Sequence, residues 1–161
     1  MTLSTKTIPS PVGALTLVAS AKGLVAILWE NDSPDRVKLD EATGDAGHPV
    51  LIAAETQLRE YFAGTRTRFD LPLDFRGTEF QKSVWAELLA IPFGETRSYG
   101  EIAAKLGRPK ASRAVGAANG RNPISIVAPC HRVIGSTGKL TGFAGGLDAK
   151  EYLLALERRA G

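Results

Sequence analysis

The chain has 161 residues, 43% of them hydrophobic and 23% charged, and a formal net charge of +3. That length builds one ordinary domain or two small lobes around a buried core. No apolar run is long enough to span a bilayer, and Met1 to Ser10 lack the basic-then-apolar order of a signal peptide, so the expectation is a soluble protein of a reducing cytoplasm.

In chain order, residues 14–19 and 24–29 have the make-up of strands, and Ser20 to Gly23 form a hairpin-type connection between them. Residues 31–49 are polar and rich in Gly, Pro and Asp, which predicts a loop. Leu51, Ala54, Leu58, Tyr61 and Phe62 recur at helical spacing, which predicts a helix over 50–63 ended by Gly64. His48 stands alone in the loop and offers no zinc set. Residues 1–75 therefore read as a small α+β N-terminal domain.

The second half, residues 76–161, reads as mostly helical. Thr78 and Gln81 fit a capping box that opens a helix through Val84, Trp85, Leu88 and Leu89, which Pro92 and Gly94 end. Ser98 and Glu101 fit a second box, before a short helix that stops at Gly107. After the Arg108-Pro109 turn, Lys110 to Ala118 can form another helix, and the pair has the form of a helix-turn-helix. Ala111, Ser112, Ala114, Gly116, Ala117 and Ala118 leave Arg113 as its one long side chain. Such a helix either packs tightly on a neighbour or presses into a nucleic-acid groove while the arginine reaches inward.

The two halves differ in charge, with a net of −3 for residues 1–75 and +6 for 76–161. No acid occurs between Glu101 and Asp148, a stretch that holds Lys105, Arg108, Lys110, Arg113, Arg121, Arg132 and Lys139. This is either the footprint of a phosphate-backbone binder or a solvated basic face.

Cys130, the single cysteine, is followed directly by His131. A lone thiol makes neither an intramolecular disulfide nor a thiolate metal cluster, so it is a nucleophile or a small buried hydrophobe. A helical wheel over 149–160 gathers Ala149, Leu153, Leu156 and Ala160, and Glu157 falls inside that apolar arc. A carboxylate there needs a partner, either the histidine beside the thiol or an arginine of the core.

At these residues the chain resembles the O6-alkylguanine-DNA alkyltransferases, the methylated-DNA–protein-cysteine methyltransferases. Pro129-Cys130-His131-Arg132-Val133 matches the family's active-site motif, Arg113-Ala114-Val115-Gly116 its recognition helix, and Asn122-Pro123 its hinge. Ser98-Tyr99, Gly145-Gly146-Leu147, Lys150 and Glu157 keep the family's order. The resemblance is close from Thr78 to Glu157 and weak before residue 75.

The resemblance implies direct-reversal DNA repair in a single turnover, with Cys130 as the alkyl acceptor, His131 as its base and Glu157 holding the imidazole. Consecutive side chains diverge, so a water bridging sulfur and imidazole is expected. Deprotonation by such a relay would multiply the thiolate fraction roughly thirtyfold, about 2 kcal/mol. Asn122 would order the active-site turn, and the Tyr99 hydroxyl would assist the leaving guanine. Val133 and the loop Gly142-Phe143-Ala144-Gly145-Gly146 would form the substrate pocket. Phe143 stands where many relatives have tyrosine, and Ala128 is smaller than the branched residue often found there.

For partners, the resemblance implies double-stranded DNA carrying O6-alkylguanine, bound from the minor groove by Arg113, Ala114, Ser112, Lys110 and Tyr99. Binding would depend on salt and be largely independent of sequence. The protein would be a monomer in solution, and no metal or organic cofactor is implied. Clustering on DNA, O4-alkylthymine repair and the range of alkyl groups stay open. A lesion binder without chemistry lacks the cysteine, a helix-turn-helix regulator would need an effector module, and a cysteine hydrolase would separate Cys and His in sequence.

Overall fold

In the computed structural model, which describes residues 3–39, 42–45, 47–135 and 143–160, the chain forms an α+β N-terminal lobe followed by a mostly helical C-terminal region. The lobe carries a four-stranded sheet in the order β3-β2-β1-β4, from β1 (Leu3–Ile8), β2 (Leu15–Ala19), β3 (Leu24–Trp29) and β4 (Ala42–Gly44). The β1-β2 and β2-β3 pairs are antiparallel, and β4 runs parallel to β1. The β2-β3 hairpin forms where the sequence predicts it.

Two strands of this sheet were not expected. β1 buries only its end residues, Leu3 and Ile8, and the residues between are polar, so it has no alternating apolar signal. β4 lies inside the predicted 31–49 loop and exists through its three-residue register with Leu3, Ser4 and Thr5. Helix α1 (Pro49–Phe62) covers the sheet with Leu51, Ala54, Leu58 and Tyr61. His48 has a local task there, because its Nδ1 accepts from the Val50 N–H as the helix cap, 3.2 Å away.

In the second half, α2 (Glu79–Leu89) and α3 (Tyr99–Lys105) both start at the predicted capping boxes, with both reciprocal hydrogen bonds made. Gly107 at φ +74° turns the chain after α3. The following helix α4 (Ser112–Gly120) begins two residues later than expected. Ala111 N–H bonds to Arg108 O at 2.9 Å and keeps Lys110 in the turn. α4 packs on α2 and α3. It buries Val115, Ala118 and Asn119 and exposes Arg113, Ala114 and Ala117. The last helix among the described residues is α5 (Leu147–Ala160).

The two halves share one core. The outer edge of β3 is covered by later chain, with Leu24 N–H bonded to Pro72 O at 2.8 Å and Ile27 N–H to Pro123 O at 2.9 Å. Ile124, Ile126 and Val127 then enter the same apolar cluster as Leu17, Ile27, Leu58, Leu153 and Leu156. Covering an edge strand in this way removes a row of unpaired backbone groups. It also seats the segment leading to Cys130 on a rigid sheet. Among the described residues, no helix is long and apolar enough to cross a membrane.

Candidate active site

The segment from Asn122 to Val133 is folded by its own hydrogen bonds. Asn122 Nδ2 donates to Ala128 O at 2.8 Å, and Asn122 Oδ1 accepts from Ile124 N–H at 3.1 Å. Between these, Val127 N–H bonds to Ser125 O at 2.9 Å across Ile126, whose φ is +74°. This is the rarer, strained hand of the γ-turn, which costs on the order of 1–3 kcal/mol at a branched residue. The shared core holds Ile126 and Val127 and so offsets that strain. The chain then enters one 3-10 turn, Cys130–Arg132.

Cys130 and His131 are consecutive in that turn, and their side chains go different ways. Cys130, 4% exposed, borders a cavity of only about 10 Å³ lined by Arg36, Asn119, Gly120, Asn122, Ser125, Phe143 and Ala144. His131 is fully buried, and its Nε2 lies 2.6 Å from Glu157 Oε2 on α5. Its Nδ1 is buried with no hydrogen-bond partner among the described residues. A buried polar atom of this kind requires a partner, and one water bridging to the thiol would supply it.

Glu157 also answers the sequence's open choice between histidine and arginine, since it takes both. Arg132 Nε donates to Oε1 at 2.8 Å and Nη2 to Oε2 at 3.0 Å. Arg132 Nη1 bonds to Ile91 O at 2.6 Å. Arg132 is therefore not part of a phosphate-binding face, as its place in the acid-free stretch suggested. It is buried with a carboxylate 25 residues away. Lys105, Arg108, Lys110, Arg113 and Arg121 of that stretch are exposed, and Lys139 lies outside the described residues.

The electrostatics follow from burial. Burial pushes the Cys130 thiol up, opposed by hydrogen bonds to Asn122 and Ser125 and by the charges of Arg36 and Lys150. Burial pushes His131 down, opposed by its hydrogen bond to Glu157. Burial would also raise Glu157, but the hydrogen bonds and charges of His131 and Arg132 outweigh it and hold the carboxyl at about 2. At neutral pH the resting site is therefore thiol, neutral imidazole and carboxylate. An assisted proton transfer is needed to make the thiolate.

The surrounding residues are brought in by several elements. A two-residue parallel pair, β5 (Arg97–Ser98) with β6 (Val133–Ile134), sets the start of α3 beside the active-site turn. Tyr99, Val133 and Phe143 share an apolar cluster with Cys130. Buried Lys150 donates from Nζ to Val133 O at 2.6 Å and lies 5.9 Å from the Phe143 ring centre. Phe143 meets Trp29 edge-on, 5.3 Å between centres. Gly145 presses on Trp29 so closely that a Cβ would sit 2.6 Å from the indole. Gly142 of the expected loop lies outside the described residues.

Several contributors were not singled out as site residues by sequence reasoning. Arg36 donates to the carbonyls of Asn122 and Ile27 and pairs with Asp32. Trp29 Nε1 donates to Ser125 Oγ at 3.1 Å, and Tyr61 reaches Glu157. All three come from the N-terminal lobe. No local pattern marks them as site residues, and only their closeness in space to residues 122–157 reveals them.

Known proteins place the chain. Residues 79–159 match the model of the 6-O-methylguanine DNA methyltransferase DNA binding domain, and residues 3–75 that of the family's ribonuclease-like domain. The chain is 55% identical over 155 residues to a methylated-DNA–protein-cysteine methyltransferase of Mycolicibacterium paratuberculosis, covering 96% of this chain and 92% of that protein. It is 52% identical over 148 residues to one of Methanosarcina acetivorans, covering 92% and 94%. Its structure is similar to the crystal structure of Mycobacterium tuberculosis OGT in complex with DNA, with a TM-score of 0.90 and 48% identity over 100% of this chain and 95% of that one. With both halves matched and the fold shared, the chain belongs to the 6-O-methylguanine DNA methyltransferase family.

Proposed function

We propose that this protein repairs double-stranded DNA by moving the alkyl group of O6-alkylguanine irreversibly to Cys130. The observation that carries the reading is the buried Cys130-His131-Glu157 arrangement, with its imidazole held at Nε2 and, among the described residues, unpartnered at Nδ1. Its relatives' shared name as methylated-DNA–protein-cysteine methyltransferases supports the same chemistry.

In this reading His131 Nδ1 takes the thiol proton through a bridging water, and Glu157 stabilises the imidazolium. The thiolate attacks the alkyl carbon as the carbon–O6 bond breaks, giving a thioether and a guanine anion. The Tyr99 hydroxyl passes a proton to that anion and is reprotonated from solvent, to which the imidazolium in turn releases the thiol's proton. A thioether has no easy return step, so each molecule acts once.

Access requires base flipping, because a base inside a duplex cannot reach a buried thiol. The bare outer face of α4 suits close approach to the minor groove, Ser112 and Ala114 leave room for the backbone, and Lys110 lies in the turn before it. Arg113, exposed on that face, enters the vacated stack. The cavity at Cys130 is small, and entry of the base is proposed to widen it at the Phe143-Ala144 wall. The protein is read as working as a monomer, the state that the family resemblance implies.

Arg113→Ala is expected to slow transfer from a duplex about tenfold more than transfer from a single strand, because only the duplex carries a flipping cost of a few kcal/mol. Single-turnover rates on both substrates check this, and equal losses would remove the proposed role. The function itself is tested by intact-protein mass spectrometry after mixing with a duplex holding one O6-methylguanine. The expected result is a gain of one methylene per molecule, mapped to Cys130. Tight lesion binding with no mass change would instead mark a protein that flags damage.

A further inference from the structure

Glu157 is the meeting point of more donors than an orienting carboxylate needs. On Oε2 it accepts from His131 Nε2 at 2.6 Å, Arg132 Nη2 at 3.0 Å and the Tyr61 hydroxyl at 2.6 Å. On Oε1 it accepts from Arg132 Nε at 2.8 Å and Gly94 N–H at 3.4 Å. All of these but Tyr61 come from the C-terminal half. Tyr61 stands on α1, 1% exposed, with its ring fixed by Phe62, Phe69 and Phe93.

The hydroxyl shares the very oxygen that faces His131. A donor at that oxygen draws off charge that would otherwise stabilise an imidazolium, so it makes His131 a weaker base. Arg132 already anchors the carboxylate through both of its oxygens, so Glu157 does not depend on Tyr61 for its charge or its place. We propose that Tyr61 is a positioning residue through which the N-terminal lobe tempers Glu157 and so sets how readily His131 takes a proton; this rests on reading Cys130, His131 and Glu157 as the transfer relay. The other charged or titratable groups facing the cluster are Arg132 from the 3-10 turn, Lys150 and Tyr152 from α5, and Cys130 itself. None of them changes when the Tyr61 oxygen is removed.

Tyr61→Phe keeps the ring and deletes the donor. In the ligand-free protein, the His131 ring signal in an NMR titration is expected to move its midpoint up by about half a pH unit, a roughly threefold change in proton affinity. The acid limb of the single-turnover rate against pH is expected to move up by the same amount. A ring-fluorinated tyrosine at position 61, a stronger donor of the same shape, is expected to move both the other way, and it keeps the test available should Tyr61→Phe fold poorly. A His131 midpoint unmoved in both variants, with normal wild-type transfer, would reduce Tyr61 to core packing and overturn the proposal. A wild-type protein that transfers nothing would overturn the relay reading and take the proposal with it.

Discussion

Cys130→Ala is expected to lose methyl transfer completely while binding a lesion-bearing duplex within about threefold of the wild type. Cys130 is 4% exposed and borders a 10 Å³ cavity, so its sulfur adds almost nothing to the docking surface. Deleting one buried atom next to so small a cavity costs stability of about 1 kcal/mol or less. Ser125, the hydroxyl among the residues lining the Cys130 cavity, is a poor substitute acceptor, because it is engaged by Trp29 and a hydroxyl is far less ionised than a thiol. Mass spectrometry and fluorescence anisotropy on the same duplex read the two properties separately. Any methyl gain on the variant would move the acceptor away from Cys130.

Glu157→Gln is expected to slow transfer about a hundredfold and to destabilise the fold by about 3 kcal/mol at neutral pH. The amide keeps the shape but leaves the Arg132 guanidinium, 6% exposed, without its counter-charge. Removing one member of a buried ion pair costs more than the pair's net worth, because the other charge stays buried. The pH dependence gives a second check. In the folded protein Glu157 ionises at about 2, against an ordinary 4.5, so its contribution is full above pH 4.5 and fades as pH falls towards 2.

His131 adds to the acid sensitivity with the same sign. Burial lowers it below its ordinary 6.5, so below that pH the unfolded chain takes up the proton first and stability starts to fall. The wild type should therefore lose stability in two stages on acidification. Its advantage over Glu157→Gln should shrink below pH 4.5. Urea unfolding of both proteins at pH 7 and pH 3 measures this, and a gap that is the same at both values would disprove the assignment of the low ionisation to Glu157.

The parts of this protein that were legible in its sequence are those set by near neighbours. The capping boxes at Thr78 and Ser98, the β2-β3 hairpin and the apolar face of α1 each depend on residues three or four places apart, where backbone geometry leaves few choices. The Cys130-His131 pair and its family motif were legible for the same reason. Strand β1 was not, since its middle residues are polar and its pairing partners lie on two other strands. The 31–49 segment looked like loop because β4 has no pattern of its own and forms only against β1.

For the site, the helical wheel placed Glu157 on a buried face but could not choose its partner, because hydrogen bonding depends on which side chains arrive from elsewhere. Arg132 was counted with the exposed basic residues, since a charge run in sequence says nothing of which member turns inward. What the sequence by itself determined was the local scaffold, the candidate nucleophile and the family. What only the tertiary structure decided was the company around them: Tyr61 on Glu157 and Trp29 on Ser125, each 96 residues apart. A buried carboxylate or thiol is tuned by whatever donors share its few cubic ångströms, and chain folding, not chain order, selects those donors.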